Sequence, residues 1–153
     1  MKQTELYRDY VKSPIGNIEV IANDQYLLSI YFVKRVKSKR ANTITNRTCR
    51  QLQEYFSGKR RIFDLPLYMK GTRFQQSVWK ALTKINYGET CSYADVAKKI
   101  KNPKAVRAVG SANGKNPISI VVPCHRVIAS DGSLAGYASG TNKKAWLLKH
   151  ESN

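Results

Sequence analysis

The hydrophobic residues of this chain follow two different periods, and the change between them limits the architecture. In the first part, every second residue is apolar on both sides of Asn23-Asp24, at Ile18, Val20, Tyr26, Leu28, Ile30 and Phe32. Alternation on both sides of a turn dipeptide predicts an antiparallel β-hairpin. Residues 47–57 then follow a helical period that ends at Gly58, so we expect a helix to cover one face of the sheet.

The period is helical from Thr72 onward. Thr72 is expected to cap a first helix, and Ser92 is expected to cap a second helix over residues 93–100. Asn102, followed by proline, predicts the start of a third helix over residues 103–113. The second and third helices are short and joined by a tight turn, which predicts a helix-turn-helix.

Residues 59–71 contain Pro66 and have no clear period, so we expect them to link two domains. The prediction is a first domain over residues 1–66, rich in strands with one helix, and a mainly helical second domain over residues 67–153. A chain of 153 residues has room for two small domains but not for three. The predicted fold class is therefore α+β.

The chain is strongly basic throughout its length. Lys and Arg number 27 against 10 Asp and Glu, which gives a formal charge of +17. There are 13 basic and 6 acidic residues before Pro66 (+7) and 14 and 4 after it (+10), so the charge is not confined to a tail. This excess predicts a polyanionic partner, although a host with a basic proteome would give the same composition. Residues 34–40, KRVKSKR, fit a solvated loop as well as a nucleic-acid contact, and we assign them no role.

The three cysteines are Cys49, Cys91 and Cys124, an odd number with no CxxC pair and no histidine cluster. This pattern argues against a disulfide framework and against a zinc site, so no metal is expected. No apolar run approaches the roughly 20 residues of a membrane span, and the polar residues 1–10 do not resemble a signal peptide. We expect a cytoplasmic protein.

The third predicted helix of the second domain is built mainly from small residues: Ala105, Val106, Arg107, Ala108, Val109, Gly110, Ser111 and Ala112. A helix that reads bases in the major groove usually carries several long polar side chains. Small residues allow close approach to the minor groove or to the DNA backbone, with little sequence preference. They are equally consistent with simple packing against the preceding helix.

Ile118, Ile120 and Val122 alternate and predict a buried strand that ends at Pro123, immediately before Cys124 and His125. Consecutive side chains of a strand point to opposite faces, so this thiol and imidazole can cooperate only if the chain turns or a water bridges them. A cysteine beside a base in an electropositive region can be held as the nucleophilic thiolate. The alternative is an inert buried cysteine next to a solvent-facing histidine.

The segment Pro123-Cys124-His125-Arg126-Val127 resembles the PCHRV active-site motif of the O6-alkylguanine-DNA alkyltransferases. The similarity extends over residues 51–151 in the order and spacing of that family, including GTRFQQSVWKALTKINYGET, SYADVAKKI, NPKAVRAVGSANGKNP, GSLAGYASG and LLKHE. The resemblance implies an N-terminal domain of the ribonuclease-H-like type and a C-terminal alkyltransferase domain. It also implies a monomer that acts without a cofactor on duplex DNA containing O6-alkylguanine.

In this family the alkyl group of a flipped-out guanine passes to the protein itself, irreversibly and once per molecule. The resemblance implies that Cys124 is the acceptor, that His125 is its base through a water, and that Glu151 orients the imidazole. Asn116 would hold the turn that carries Cys124, and Tyr93 would donate a proton or hydrogen bond to the leaving guanine.

The resemblance also implies which residues contact the substrate and the DNA. The residues expected at the flipped base are Arg107, which would enter the base stack, Val127, whose carbonyl would read the base edge, and the loop residues Tyr137, Ala138 and Ser139. The residues expected at the DNA minor groove are Thr90, Ser92, Lys104, Ala105, Ala108 and Gly110.

The chain departs from the family pattern at Asn86, at Ser139 and at Gly114-Lys115. Ser139 replaces a usual glycine and is expected to restrict bulky adducts such as benzyl.

Two other functions are possible for a chain with these residues. One is a non-catalytic protein that binds alkyl lesions, although those relatives carry tryptophan in place of Cys124. The other is a Cys-His hydrolase, against which the charge and the helix-turn-helix argue.

Overall fold

The computed structural model describes residues 5–153, so residues 1–4 of the predicted first domain lie outside it. The described residues divide into two compact units, one that ends at Lys70 and one that begins at Gly71. This division falls four residues after the boundary predicted at 66/67. The reason is that Leu67 forms a parallel bridge with Leu27 of the first unit, in which Tyr68 N donates to the Leu27 carbonyl at 3.1 Å.

The first unit is an antiparallel three-stranded sheet covered by one helix. Its strands are β1 (Tyr7–Ser13), β2 (Gly16–Ala22) and β3 (Leu27–Val33), in the order β1-β2-β3, and α1 (Thr43–Phe56) packs against the sheet. The core between them is apolar and contains Val11, Ile18, Val20, Ala22, Leu27, Ile30, Leu52 and Tyr55. The predicted hairpin and helix are therefore confirmed, whereas β1 was not predicted because the start of the chain is polar.

The register of β3 differs from the predicted alternation. A bulge at Ile21/Ala22 shifts the pairing, so Leu27 is fully buried while Tyr26 is 40% exposed. An extra residue on one strand moves the following side chains to the other face, and simple alternation cannot anticipate this. The predicted linker also packs within the first unit, because the Gln51 side chain bonds both the Asp64 carbonyl and the Asp64 amide.

The second unit is mainly helical. It contains α2 (Arg73–Leu82), β4 (Cys91–Ser92), α3 (Tyr93–Lys99), α4 (Val106–Gly114), a single 3-10 turn (Cys124–Arg126), β5 (Val127–Ile128) and α5 (Thr141–Glu151). The strands β4 and β5 pair in parallel. The helices α2, α3 and α4 pack on one another, and α3 with α4 forms the predicted helix-turn-helix. The α+β fold class is confirmed.

The caps predicted for α2 and α3 are confirmed, but the start predicted for α4 is wrong. Thr72 and Ser92 each accept a hydrogen bond from the third helical residue in a capping box. Asn102 does not cap α4, which begins at Val106 without a side-chain cap. Lys101 has a φ of 61°, a left-handed conformation that reverses the chain, and residues 102–105 form turns before the helix starts.

The strand predicted for residues 118–122 is also wrong. These residues form consecutive turns in which Val122 N donates to the Ile118 carbonyl at 3.0 Å, and Ile120 has a φ of 73°. The apolar side chains are buried as expected, but the backbone is folded back on itself. The alternation of Ile118, Ile120 and Val122 therefore reflects burial within a turn and not a strand.

No helix among residues 5–153 combines the length and the apolar character that a crossing of the lipid bilayer requires.

Candidate active site

Cys124 begins the 3-10 turn and is almost fully buried. The turn before it is held by Asn116, whose Nδ2 donates to the Val122 carbonyl at 2.7 Å and whose Oδ1 accepts from Ile118 N at 2.9 Å. From the end of α4, Asn113 Nδ2 donates to the carbonyl of Cys124 at 3.3 Å. Two buried amide side chains thus fix the backbone on which the thiol stands.

His125 and Glu151 form a buried pair. The Nε2 atom of His125 lies 2.7 Å from Oε2 of Glu151, and both side chains are essentially inaccessible to solvent. An ionised carboxylate only accepts hydrogen bonds, so Nε2 carries the proton and donates it. The other ring nitrogen, Nδ1, is also buried and has no hydrogen-bond partner among residues 5–153. Its lone pair is available to accept a proton.

Arg126 completes this cluster. Its Nε donates to Oε1 of Glu151 at 2.8 Å, and a terminal nitrogen donates to Oε2 at 3.1 Å. The remaining terminal nitrogen donates to the Ile85 carbonyl at 2.7 Å. The guanidinium therefore ties the 3-10 turn to α5 and to the segment that follows α2.

The burial of the site controls the charge state of the thiol and of the imidazole. Burial raises the pKa of Cys124, and this effect is opposed by the Asn116 amide and by the positive charge of Lys144. Burial lowers the pKa of His125, opposed by its hydrogen bond to Glu151. The resting pair is therefore a neutral thiol and a neutral imidazole. A base therefore has to remove the thiol proton before the sulfur can act as a nucleophile.

Lys144 is a fully buried ammonium on α5. Its Nζ donates to the Val127 carbonyl at 2.5 Å and to the Ala135 carbonyl at 3.0 Å, and it lies 5.9 Å from the centre of the Tyr93 ring. The hydrogen bonds connect the strand after the thiol to the following loop. One lone pair of the Val127 carbonyl is thus already used, which leaves the second for any other donor.

A cavity of about 590 Å³ opens between α3, α4 and the loop after β5. Its lining brings together five of the predicted residues: Tyr93, Arg107, Gly110, Tyr137 and Ala138. Burial raises the pKa of both Tyr93 and Tyr137, and the nearby Cys124 adds to the rise. Both phenols line this cavity, so the thiol lies near it, and the size of the cavity suits a small ligand.

The structure does not bring all of the predicted residues to that cavity. Ser139 is half-buried and is not part of its lining, and Thr90 lines a separate hollow of about 360 Å³ near the end of α5. Ser92 caps α3, and Ala105 precedes α4 as its N-cap residue.

The outer surface of the helix-turn-helix is rich in exposed cations. Lys104 and Ala108 are exposed on it, and the exposed cations of residues 93–115 are Lys98, Lys99, Lys101, Lys104, Arg107 and Lys115. Asp95 is the one acidic residue of that segment. Such a surface attracts a polyanion.

Sequence reasoning missed three residues of this site: Asn113, Arg126 and Lys144. Arg126 stands within the PCHRV segment, which was a signal that it belongs to the site. Nothing in the local sequence distinguishes Asn113 or Lys144, because lysine and asparagine are usually exposed.

No three side chains among the His, Cys, Asp and Glu residues of positions 5–153 come together in a way that could hold a metal ion.

Comparison with known proteins identifies the family. Residues 6–69 match the family described as "6-O-methylguanine DNA methyltransferase, ribonuclease-like domain", and residues 73–153 match its "DNA binding domain". A "Methylated-DNA--protein-cysteine methyltransferase" of Methanosarcina barkeri is 50% identical over 155 aligned residues, which cover 97% of this chain and 98% of the relative.

Solved structures agree with the sequence relatives. The crystal structure of Mycobacterium tuberculosis O6-methylguanine methyltransferase is 40% identical, with a TM-score of 0.89 over 97% of this chain and 93% of that one. A structure of Mycobacterium tuberculosis OGT in complex with DNA is 42% identical, with a TM-score of 0.87 over 94% of this chain and 91% of that one. The two domain matches and these likenesses over the whole length confirm the resemblance, and the chain belongs to the 6-O-methylguanine DNA methyltransferase family.

Proposed function

We propose that this protein repairs duplex DNA by transferring the alkyl group of O6-alkylguanine to its own Cys124, once per molecule and irreversibly. The observation that carries the proposal is the buried thiol next to a His–Glu pair, in a unit whose cationic helix-turn-helix itself lines a cavity with Tyr93, Arg107 and Gly110. The relatives named methylated-DNA--protein-cysteine methyltransferase, and the related structure bound to DNA, support the same reaction.

The proposed reaction is a displacement at a saturated carbon. His125 accepts the thiol proton at Nδ1 through a water, and the sulfur of Cys124 attacks the carbon attached to O6 of guanine. A carbon–sulfur bond forms as the carbon–oxygen bond breaks, and the electron pair of that bond remains on the guanine. Tyr93 supplies a proton or hydrogen bond to the departing guanine; burial raises the pKa of this phenol, so it is protonated at neutral pH.

In the proposal each molecule reacts once, because the product is a thioether, which water does not readily cleave. In the proposal Glu151 orients the imidazole, and Asn116 holds the turn that presents the thiol.

The proposed DNA complex follows from the helix-turn-helix. The exposed cations of this surface contact phosphates, and the small residues of α4 approach the minor groove with little sequence preference. Arg107 borders the cavity and would occupy the space left by the flipped guanine. Tyr137, Ala138 and Ser139 would close over the base. We propose a monomer acting in the cytoplasm, where its three free cysteines stay reduced.

Intact-mass spectrometry tests the proposal. After incubation with a duplex containing one O6-methylguanine, the protein should gain the mass of one CH₂ group, and peptide mapping should place it on Cys124. The Cys124→Ala variant should gain nothing. Cys91→Ser is the matched control and should react like the original protein, because Cys91 lies outside the cluster of His125, Arg126 and Glu151.

Two results would contradict the proposal. One is a label on Cys49, whose burial raises its pKa to about 12 and makes its thiol a poor nucleophile near neutral pH. The other is tight binding of the damaged duplex with no mass gain, which would favour a non-catalytic lesion-binding protein.

A further inference from the structure

The carboxylate of Glu151 is shared between two cationic or potentially cationic side chains. It accepts from Nε2 of His125 at 2.7 Å and from two nitrogens of Arg126 at 2.8 and 3.1 Å, on both of its oxygens. Arg126 is 6% exposed and Glu151 is 4% exposed, so solvent screens this interaction little. The guanidinium cannot lose its charge in a protein, and it therefore keeps the adjacent carboxylate ionised.

The charge of Arg126 has a consequence for His125. A buried imidazole beside a lone carboxylate tends to bind a second proton, because the ion pair offsets the cost of burial. Here the positive charge of Arg126 offsets the negative charge of Glu151. The attraction between an imidazolium at His125 and this carboxylate is therefore reduced. Among the causes that lower the pKa of His125, burial is the largest, followed by the charges of Arg126 and Lys144.

The other groups around His125 do not change this balance. Glu151 and Lys144 face it from α5, while Cys124 and Arg126 flank it in its own turn. The Arg126 guanidinium lies 5.7 Å from the centre of the Tyr87 ring, and burial keeps Tyr137, from the loop after β5, a neutral phenol. Two positive charges and one negative charge thus surround the ring, an arrangement that disfavours a third positive charge.

We propose that Arg126 is a positioning residue that holds Glu151 as a carboxylate and keeps His125 neutral, with Nε2 protonated and Nδ1 open to accept the thiol proton. This inference deepens the proposed function and rests on it. Arg126 acts through Glu151 and His125 and has no contact with substrate in the mechanism. The hydrogen bond that Arg126 donates to the Ile85 carbonyl fixes the position of the guanidinium.

The test measures the single-turnover rate of alkyl transfer as a function of pH. In Arg126→Met, Glu151 loses its compensating charge, so the His125–Glu151 pair binds a proton more tightly. The acid limb of the pH–rate profile should move to higher pH by about one unit or more, which is a tenfold loss of rate on that limb. Arg126→Lys restores the charge and should return the limb to within about half a unit of the original position.

A matched control separates this role from a structural one. Arg47→Met removes an arginine that pairs with Asp64 at 2.8 Å on the exposed surface of the first unit, and it should leave the limb unchanged. A limb that stays in place in Arg126→Met while only the melting temperature falls would overturn the proposal. A limb that moves equally in Arg126→Lys would do the same.

A second measurement does not depend on whether Arg126→Met folds. The chain has two histidines, His125 and His150, so ¹⁵N labelling of histidine in the unaltered protein gives two ring systems, assigned with His150→Gln. His125 should be the neutral tautomer with its proton on Nε2 near neutral pH. An imidazolium, or a proton on Nδ1 alone, would overturn the inference. Loss of the mass gain in the unaltered protein would instead contradict the proposed function.

Discussion

Replacing Asn116 by alanine should destabilise the second unit strongly. The Asn116 side chain satisfies two backbone groups, the amide of Ile118 and the carbonyl of Val122, and both residues are fully buried. Without Asn116 the Ile118 amide loses its acceptor, which costs about 1–3 kcal/mol, while the Val122 carbonyl loses one of its two donors and keeps Cys124 N at 2.8 Å, which costs about 1 kcal/mol. Asn116→Ala should therefore lower the free energy of unfolding by about 2–4 kcal/mol. With a typical urea dependence for a small unit, the midpoint falls by about 1 M or more.

Tryptophan fluorescence reports this change selectively. Both tryptophans of the chain, Trp79 and Trp146, lie in the second unit, so urea unfolding followed by their emission measures that unit. Thr72→Ala is the control for comparison, because it removes only the N-cap of α2 and should lower the free energy of unfolding by about 1 kcal/mol. If Asn116→Ala costs no more than Thr72→Ala, the two hydrogen bonds do not hold the turn as described.

Three further outcomes are expected. Affinity for undamaged duplex DNA should fall by about a thousandfold between 50 and 200 mM salt if at least six phosphates are contacted, and a flat profile in a binding titration would contradict the electrostatic interface. Arg107→Ala should slow repair of O6-methylguanine more than it weakens binding of undamaged duplex. Equal losses in rate and affinity would contradict the proposal that Arg107 fills the space left by the flipped guanine. Lys101→Gly should raise the free energy of unfolding by about 0.5–1 kcal/mol, because Lys101 is exposed and has a φ of 61°, which glycine adopts at lower cost than lysine. Unchanged stability in urea would show that this conformation is not strained.

Local sequence was enough to predict the elements whose boundaries depend on nearby residues. The hairpin around Asn23-Asp24 forms because the Asn23 side chain accepts from the amides of Gln25 and Tyr26. The starts of α2 and α3 follow from Thr72 and Ser92, each of which bonds a residue three positions later. All of these interactions lie within a few residues in sequence.

Long-range interactions account for the errors. The strand expected at residues 118–122 is a turn because Asn116 clamps Val122 to Ile118, and the hydrophobic pattern contains no information about that clamp. Lys144 is buried because carbonyls 9 and 17 residues away accept its hydrogen bonds.

The site itself shows the same division. The motif around Cys124 and His125 could be identified from the sequence. Only the structure shows that Glu151 accepts hydrogen bonds from both His125 and Arg126.

The helices of this protein differ in how their first turns are defined. Asn42, Thr72 and Ser92 fix the starts of α1, α2 and α3 through reciprocal side-chain bonds, whereas α4 begins after Ala105 and α5 after Gly140 with no side-chain cap. Of the two uncapped helices, α4 lines the cavity with Arg107 and Gly110, and α5 carries Glu151 in its last turn. We expect their opening turns to exchange amide hydrogens with the solvent sooner than those of the capped helices.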